Sequence, residues 1–319
     1  MRLVDIQNLN VSFPQHECVV QAVRGVSLHV DAGESLGIVG ESGSGKSVTC
    51  MAVLRLLREP PAKISAERLE LAGENMLTAD RRKLASMRGR VAAMVFQDPM
   101  TAFDPVFTIG HQIVETILAH RALSKAEVTS EAASLLAKVE IKNPASVLES
   151  YPHQLSGGML QRAMIAMALS CRPQILFADE PTTALDVTIQ AQILQLIKNL
   201  QSEFGMGLIM VTHDLGVIAE TVDRVVVMYG GRVMEEGPVQ VIFDEPAHPY
   251  TQALLRSIPG KLPGRQRLIE ISGASPSPID PPAGCPFHPR CVLADAKCME
   301  APEFVSIGEG RNAACWRLQ

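Results

Sequence analysis

The sequence predicts an α/β fold with parallel strands and a helical insertion, and three observations support that prediction. An apolar strand at 35–39 is followed by a glycine-rich loop and then by a helical period from Val48 to Leu57. Apolar strands return at Ile175–Ala178, Leu208–Val211 and Arg224–Met228, separated by helices or turns. From about 108 to 172, helix-forming residues recur with the helical period, which predicts the insertion.

The two ends of the chain have patterns of their own. Residues 3–13 and 19–30 alternate in polarity around a turn, which predicts an antiparallel β layer at the amino end. Proline and glycine recur between residues 257 and 284, a composition typical of extended linkers. We therefore expect a main domain over 1–256 with its helical subdomain at about 108–172, a linker over 257–284, and a cysteine-rich tail over 285–319.

Composition excludes several classes of function. The 319 residues include 29 Lys and Arg against 34 Asp and Glu, a net charge of −5, which lacks the basic excess that nucleic-acid binding needs. The most apolar runs are about one buried strand long, so none is expected to cross a membrane. The first residues lack the basic and apolar regions of a secretory signal, which favours the cytoplasm.

The glycine-rich loop fits the pattern Gly-x4-Gly-Lys-Ser of a phosphate-binding P-loop, since it reads Gly40-Glu-Ser-Gly-Ser-Gly45-Lys46-Ser47. Its strand-before, helix-after context is the one that this motif requires. Backbone N–H groups of the loop, including those at Ser42 and Gly43, are expected to surround phosphate oxygens. Lys46 would reach the β- and γ-phosphates, and the Ser47 hydroxyl would bind Mg²⁺.

Further candidate residues follow later strands. Asp179 and Glu180 end the strand at 175–178, where Asp179 can hold Mg²⁺ and Glu180 can polarise an attacking water. Ser156, Gly157 and Gly158 open an apolar helix, and free N–H groups at a helix start bind anions. Taken alone, that segment is equally well explained as a simple helix cap.

Taken together, these motifs resemble those of the ATP-binding cassette (ABC) ATPases over about residues 1–250. Leu155-Ser-Gly-Gly158 is similar to the family's signature, although Met159 stands where the family usually has Gln. The resemblance implies ATP and Mg²⁺ as ligands, Glu180 and His213 as catalytic residues, and a head-to-tail dimer in which Lys46 and the partner's signature enclose one ATP. The other matches are Phe13 as the aromatic that stacks on adenine, Gln97 in the Q-loop as a further Mg²⁺ contact, Ala184-Leu185-Asp186 as the D-loop, and His213 as the switch histidine.

Near the carboxyl end, the sequence resembles a smaller group within this family. The stretches at 248–259 and 284–291 are similar to the C-terminal extension of dipeptide, oligopeptide and nickel importer ATPases, and 154–168 and 179–192 look like the dipeptide branch. This implies a peptide importer, with a nickel or other small-solute importer as the alternative. It also implies a related second ATPase subunit, two transmembrane permease subunits, an external substrate-binding protein, and a position on the cytoplasmic face of the inner membrane. Gln97 and the segment 98–107 would lie at the groove where a helix of a membrane subunit docks, with Thr101 and Phe103 close enough to cross-link to it.

Four of the seven cysteines cluster near the carboxyl end, at Cys285, Cys291, Cys298 and Cys315. Thiolates select zinc or iron–sulfur groups, and these gaps of 5, 6 and 16 residues are wider than those of usual zinc fingers. The spacing, together with the resemblance, favours a structural [4Fe–4S] cluster, with zinc as the alternative and free or disulfide-linked thiols as the third possibility.

Two rival functions remain open at this point. Soluble ABC proteins of translation or DNA repair usually carry two cassettes or a long coiled-coil insertion, and the sequence has neither. A redox or iron-sensing regulator would need only the tail, but Glu180 and His213 argue against a cassette without hydrolysis.

Overall fold

The computed structural model describes residues 1–183, 185–257 and 271–319, and these form two compact units. The signature unit comprises residues 1, 31–34 and 79–209, without 184. The phosphate-loop unit comprises 2–30, 35–78 and the described residues from 210 to 319. Among the described residues, no helix has both the length and the hydropathy needed to cross a membrane.

The secondary structure alternates between strands and helices, as expected for an α/β chain. The strands are β1 (Arg2–Pro14), β2 (Val19–Asp31), β3 (Ser35–Val39), β4 (Lys63–Ser65), β5 (Arg68–Leu71), β6 (Glu74–Asn75), β7 (Ala92–Val95), β8 (Ile175–Asp179), β9 (Gly207–Thr212), β10 (Arg224–Tyr229), β11 (Arg232–Pro238), β12 (Val305–Gly308) and β13 (Arg311–Ala313). The α-helices are α1 (Lys46–Val53), α2 (Arg81–Met87), α3 (Pro99–Ala102), α4 (Ile109–Leu118), α5 (Lys125–Lys138), α6 (Pro144–Leu148), α7 (Gly157–Leu169), α8 (Val187–Phe204), α9 (Leu215–Thr221), α10 (Val239–Asp244) and α11 (Pro249–Arg256).

An antiparallel sheet occupies the amino-terminal part of the phosphate-loop unit, as the alternating pattern predicts. Its strand order is β2–β1–β5–β6, and β4 also pairs with β1. The pairs β1–β4, β1–β5 and β5–β6 are antiparallel. In the second half of β1, Leu9 and Val11 are buried whereas Asn8 and Asn10 are more exposed, so the alternation places one face of this part of the strand in the core.

A second sheet in the same unit carries the strand that leads into the phosphate loop. Here β3 pairs in parallel with β10, β10 pairs antiparallel with β11, and β13 joins β11 and β12 antiparallel. Residues 271–319, which we call the C-terminal segment, thus add strands to this sheet. They belong to the phosphate-loop unit, whereas the sequence suggested a tail beyond a linker. Residues 258–270 of that expected linker lie outside the described residues.

The signature unit contains helices α4 to α7 in the region where the helical period recurs. Its α4 packs against α5, α6 and α7, and the apolar side chains Ile109, Ile113 and Ile117 of α4 are fully buried. Strands β7 and β8 pair in parallel in this unit. Ser124 caps α5 in a capping box with Glu127, which satisfies backbone N–H groups at the helix start.

Helix α1 is shorter than its apolar period predicts. It ends at Val53 instead of Leu57, because Arg55 takes a left-handed backbone conformation with φ 53°. The Arg55 guanidinium donates to the backbone oxygen of Met76 at 3.2 Å and pairs with Glu59 at 2.8 Å. These tertiary contacts stabilise a helix stop that no glycine or proline announces at that position.

Candidate functional site

The phosphate loop is shaped by glycines that no other residue could replace. Gly40 and Gly45 have φ values of 153° and 97°, in the region that L-residues with side chains avoid. A Cβ on Gly40 would lie 2.1 Å from the Met228 backbone oxygen, and one on Gly45 would lie 2.4 Å from that of Ala22. Tight packing from β2 and β10 therefore fixes the loop as a cradle just before α1.

Lys46 lies inside this cradle and is 5% exposed. Its Nζ donates to the backbone oxygens of Gly40 at 2.8 Å and Glu41 at 3.0 Å. Ser42 and Gly43 are exposed on the loop, and Ser47 is half-buried in the first turn of α1. The loop thus presents one ammonium and a helix N-terminus, the two features that bind phosphate.

Two other predicted residues belong to the same unit. Phe13 is half-buried near the end of β1. His213 is exposed between β9 and α9, where the carboxylate of Asp214 accepts from the Gly216 N–H at 2.8 Å and caps α9. The backbone N–H of Asp214 also donates to the Thr212 hydroxyl at 3.0 Å, which fixes the turn that carries the histidine.

The acidic residues Asp179 and Glu180 lie in the signature unit at the end of β8. Asp179 is 6% exposed, and Glu180 has a left-handed backbone with φ 45°, an unusual conformation for a residue with a side chain. The Gln97 amide donates to Glu180 Oε2 at 3.0 Å, and the Thr183 hydroxyl donates to the same oxygen at 2.8 Å. Two donors therefore orient the carboxylate that the sequence predicts to be catalytic.

The signature segment lies in the same unit as these acids. Ser156 caps α7 by accepting from the Met159 N–H at 3.4 Å. The donor is a backbone group, so this cap forms although Met159 replaces the Gln that is usual in the signature. Ser156 and Gly157 are exposed, and a Cβ on Gly158 would lie 3.2 Å from Ile189 Cγ2. Asp186 caps α8 by accepting from the Ile189 N–H at 3.0 Å, while Ala184 lies outside the described residues. The signature and D-loop segments are therefore neighbours on the exposed ends of α7 and α8.

The prediction of a [4Fe–4S] cluster, or of zinc, at the carboxyl end is wrong for this structure. Among the described residues, which include Cys285, Cys291, Cys298 and Cys315, no group of three or more His, Cys, Asp or Glu side chains is placed to hold a metal ion. The four free thiols line one cavity of about 20 Å³, which has room for about one water molecule.

Burial also changes the acidity of these thiols. Burial, and to a lesser degree the neighbouring cysteines, raises the pKa of Cys285 to about 11. Burial also raises the pKa of Cys291 and Cys315 above the usual value. Thiols with a raised pKa are protonated at neutral pH. The spacing of the cysteines in the sequence does not show that apolar side chains such as Phe287 and Trp316 line the same cavity.

Sequence reasoning missed the side chains that hold Glu41, the second residue of the phosphate loop. Its backbone N–H donates to the Tyr250 hydroxyl at 3.0 Å, and its carboxylate pairs with Arg290 at 2.8 Å. Ser275 also donates to this carboxylate. Arg290 stands inside the Cys-Pro-Phe-His-Pro-Arg-Cys stretch that carries the importer resemblance, and a charged residue within that apolar stretch was the available signal.

Comparison with protein families gives two matches. Residues 23–183 match the family described as ABC transporter. Residues 234–298 match the family described as oligopeptide/dipeptide transporter, C-terminal region. The second match begins in β11 and ends inside the C-terminal segment.

Curated relatives are similar over nearly the whole chain. A probable peptide ABC transporter ATP-binding protein of Sinorhizobium fredii is 50% identical over 99% of this chain and 95% of its own length. The dipeptide transport ATP-binding protein DppD of Escherichia coli is 45% identical over 99% of this chain and 96% of its own length. The oligopeptide transport ATP-binding protein AppD of Bacillus subtilis is 43% identical over 98% and 96%, respectively.

Solved structures agree with these matches. One is the ATP-binding cassette MJ0796 in a dimeric post-hydrolysis state with ADP and Pi. It is 29% identical to this chain, with a TM-score of 0.64, and the match covers 74% of this chain and 98% of that one. CbiO1 of Clostridium perfringens, described as part of an ABC transporter complex, is 25% identical with a TM-score of 0.65, over 76% of this chain and 91% of that one.

Proposed function

This chain belongs to the ABC transporter family and is an ABC ATPase, and on that premise we propose that it powers the import of short peptides. The observation that carries the proposal is the identity of 43% to 50%, over 98% or more of the chain, to proteins named for peptide, dipeptide or oligopeptide transport. The match to their C-terminal region supports the same assignment.

The residues predicted from the sequence would bind the nucleotide. In the phosphate-loop unit, Lys46 would exchange its two loop carbonyls for phosphate oxygens, and Phe13 would stack on the adenine. The glycine-rich loop before a helix N-terminus suits phosphate oxygens. The Ser47 hydroxyl and the Asp179 carboxylate are each a hard oxygen ligand of the kind that Mg²⁺ prefers. Bound Mg²⁺ would neutralise charge on the phosphates.

Hydrolysis would depend on Glu180 and His213. Glu180 would polarise the attacking water, and the two donors on its Oε2 support this role because they fix the carboxylate before substrate arrives. Gln97, which donates one of those bonds, would also contact Mg²⁺. His213 would contact the γ-phosphate from the exposed turn before α9.

A second ATPase subunit would complete the site. Ser156, Gly157 and Asp186 are exposed at adjacent helix starts, which supports a face that covers the nucleotide of a partner. Two solved structures of one similar cassette, MJ0796, are described as dimeric. We propose a related, non-identical ATPase as the partner, which places two different cassettes beneath two transmembrane permeases and an external substrate-binding protein on the cytoplasmic face of the inner membrane.

The docking site for a membrane subunit would be the segment after β7. Met100, Val106 and Phe107 expose 49%, 69% and 44% of their surface there. Exposed apolar side chains that lie close together in a chain are typical of a surface that binds another protein. Phe103, which the sequence places at the contact, is only 3% exposed and packs into the core instead. A photo-crosslinking amino acid at Val106 should capture a co-expressed permease, and one at Val292, which is 96% exposed in the other unit, should not.

Transport in proteoliposomes tests the whole proposal. The chain, co-purified with its membrane subunits, should drive ATP-dependent uptake of a labelled dipeptide when the binding protein is present. Uptake of Ni²⁺ with no uptake of peptide would reject the peptide assignment and leave the nickel importer. Failure of the complex to hydrolyse ATP at all would reject the enzymatic role.

A further inference from the structure

The C-terminal segment reaches the nucleotide site through Arg290. This guanidinium is 8% exposed, and its Nη1 lies 2.8 Å from Oε2 of Glu41 on the phosphate loop. The same nitrogen donates to the Tyr229 hydroxyl at 3.0 Å. All of these residues belong to the phosphate-loop unit.

The rest of the guanidinium is also held in place. Nη2 donates to the Ile271 backbone oxygen at 2.7 Å, and Nε donates to that of Ser272 at 3.0 Å. Arg290 therefore uses all three nitrogens, and its planar fork joins the start of the C-terminal segment to the phosphate loop. Burial alone would lower the pKa of Arg290, but its bonds to Glu41 and Tyr229 raise it, so the charge is kept.

A cluster of aromatic side chains contacts both Arg290 and Glu41. Tyr229, Tyr250 and Phe287 pack with ring centroids 4.5 to 5.3 Å apart. Tyr250 is fully buried, and its hydroxyl accepts the backbone N–H of Glu41. Phe287 belongs to the C-terminal segment, so both the backbone and the side chain of Glu41 depend on residues far along the chain.

We propose that Arg290 is a positioning residue for ATP, and that the C-terminal segment sets the nucleotide affinity of this subunit. This inference rests on the nucleotide site described above. Two physical effects would act together. The first is geometric, because the Glu41 backbone oxygen accepts from Lys46 at 3.0 Å, so movement of Glu41 shifts the ammonium that meets the phosphates.

The second effect is electrostatic. The Glu41 carboxylate lies five residues before Lys46 on the loop that receives the negative charges of ATP. Charges in a partly buried site interact more strongly than in water, so an uncompensated carboxylate there would repel the phosphates. Arg290 cancels that charge, while a merely structural arginine would have no such effect on anion binding.

Binding of a non-hydrolysable ATP analogue with Mg²⁺ to the full chain, measured by calorimetry, tests the proposal. Arg290→Ala should raise the Kd about tenfold, the scale of one lost charged hydrogen bond. Glu41→Gln alone should change it by about threefold or less, since the amide still accepts from Arg290. Arg290→Ala combined with Glu41→Gln should bind more tightly than Arg290→Ala, because the repelling charge is gone. Arg290→Lys should recover part of the affinity.

Arg311 provides a matched control in the same segment. Its side chain is 12% exposed and pairs with the exposed carboxylates of Glu245 and Glu309, none of which lies on the loop. Arg311→Ala should leave the Kd within about twofold even where thermal unfolding shows a comparable loss of stability.

The outcomes separate the two proposals. If wild-type protein binds the analogue and folded Arg290→Ala binds it equally well, the positioning role is wrong. If Arg290→Ala fails to fold, the affinities of Glu41→Gln and Glu41→Ala for the analogue decide. Glutamine still accepts a hydrogen bond from Arg290, so Glu41→Gln should keep near wild-type affinity and Glu41→Ala should not. Equal affinities of these two variants would overturn the proposal. If wild-type protein itself does not bind, the nucleotide site is wrong.

Discussion

The phosphate loop and the signature segment both precede a helix and both suit anions, but the protein supports them differently. The loop is buried around Lys46, and residues as distant as Arg290 hold it. The signature segment is exposed at Ser156 and Gly157 and relies on the cap of its own helix. Under the proposed function, this difference fits a site of which one half would be complete within the chain and the other half would meet a second ATPase subunit.

Substitution of Glu180 should give the largest effect and separates hydrolysis from binding. Glu180→Gln should lower ATP hydrolysis by the assembled transporter by about 100-fold or more, because it removes the group that polarises water. The phosphate loop is untouched, so calorimetry should show ATP binding near that of the wild type. Near wild-type turnover in this variant would contradict the assignment of Glu180.

Substitution of Lys46 tests the loop side of the comparison. Lys46→Ala should weaken ATP binding to the isolated chain roughly 10-fold to 100-fold, since it removes charged hydrogen bonds to phosphate. Fluorescence titration with a labelled ATP analogue measures this. Undiminished affinity would mean that Lys46 does not contact the phosphates.

Ser156→Ala should affect the assembled transporter but not ATP binding by the isolated chain, unlike Lys46→Ala. The isolated chain should bind ATP as before, whereas hydrolysis by the assembled transporter should fall about tenfold through the lost contact and the lost cap. Ser124→Ala is the matched control, because it removes the cap of α5 in the same unit. If both variants lose the same activity, the effect is one of stability and the signature face has no special role.

Thr183→Val should give the smallest effect and tests how firmly Glu180 must be held. Valine keeps the shape of threonine but removes one of the two donors to Oε2. We expect kcat to fall about threefold to fivefold with little change in KM, in line with one neutral-to-charged hydrogen bond that orients a base. Thr129→Val, which alters an exposed hydroxyl on α5, should have no effect on kcat.

Local motifs in the sequence predicted much of the molecule, and distant contacts account for what they missed. The loop from Gly40 to Ser47 and the strand ending at Asp179 follow from glycine chemistry and apolar runs, which are local. The ion pair of Arg290 with Glu41 joins residues 249 positions apart, and no periodicity marks such a pair. The end of α1 at Val53 and the packing around Cys285 also depend on tertiary neighbours.

The pairing of β13 with β11 bears on how the protein avoids self-association. Without β13, which meets β11 at Glu235 and Glu236, β11 would present open backbone groups along a strand that is largely buried. The edge strand, β12, is only four residues long and ends at Gly308, so the sheet finishes in a short edge that offers little to another chain. A product shortened at residue 257 would lose both strands and should form aggregates during expression, whereas the full chain should stay dispersed.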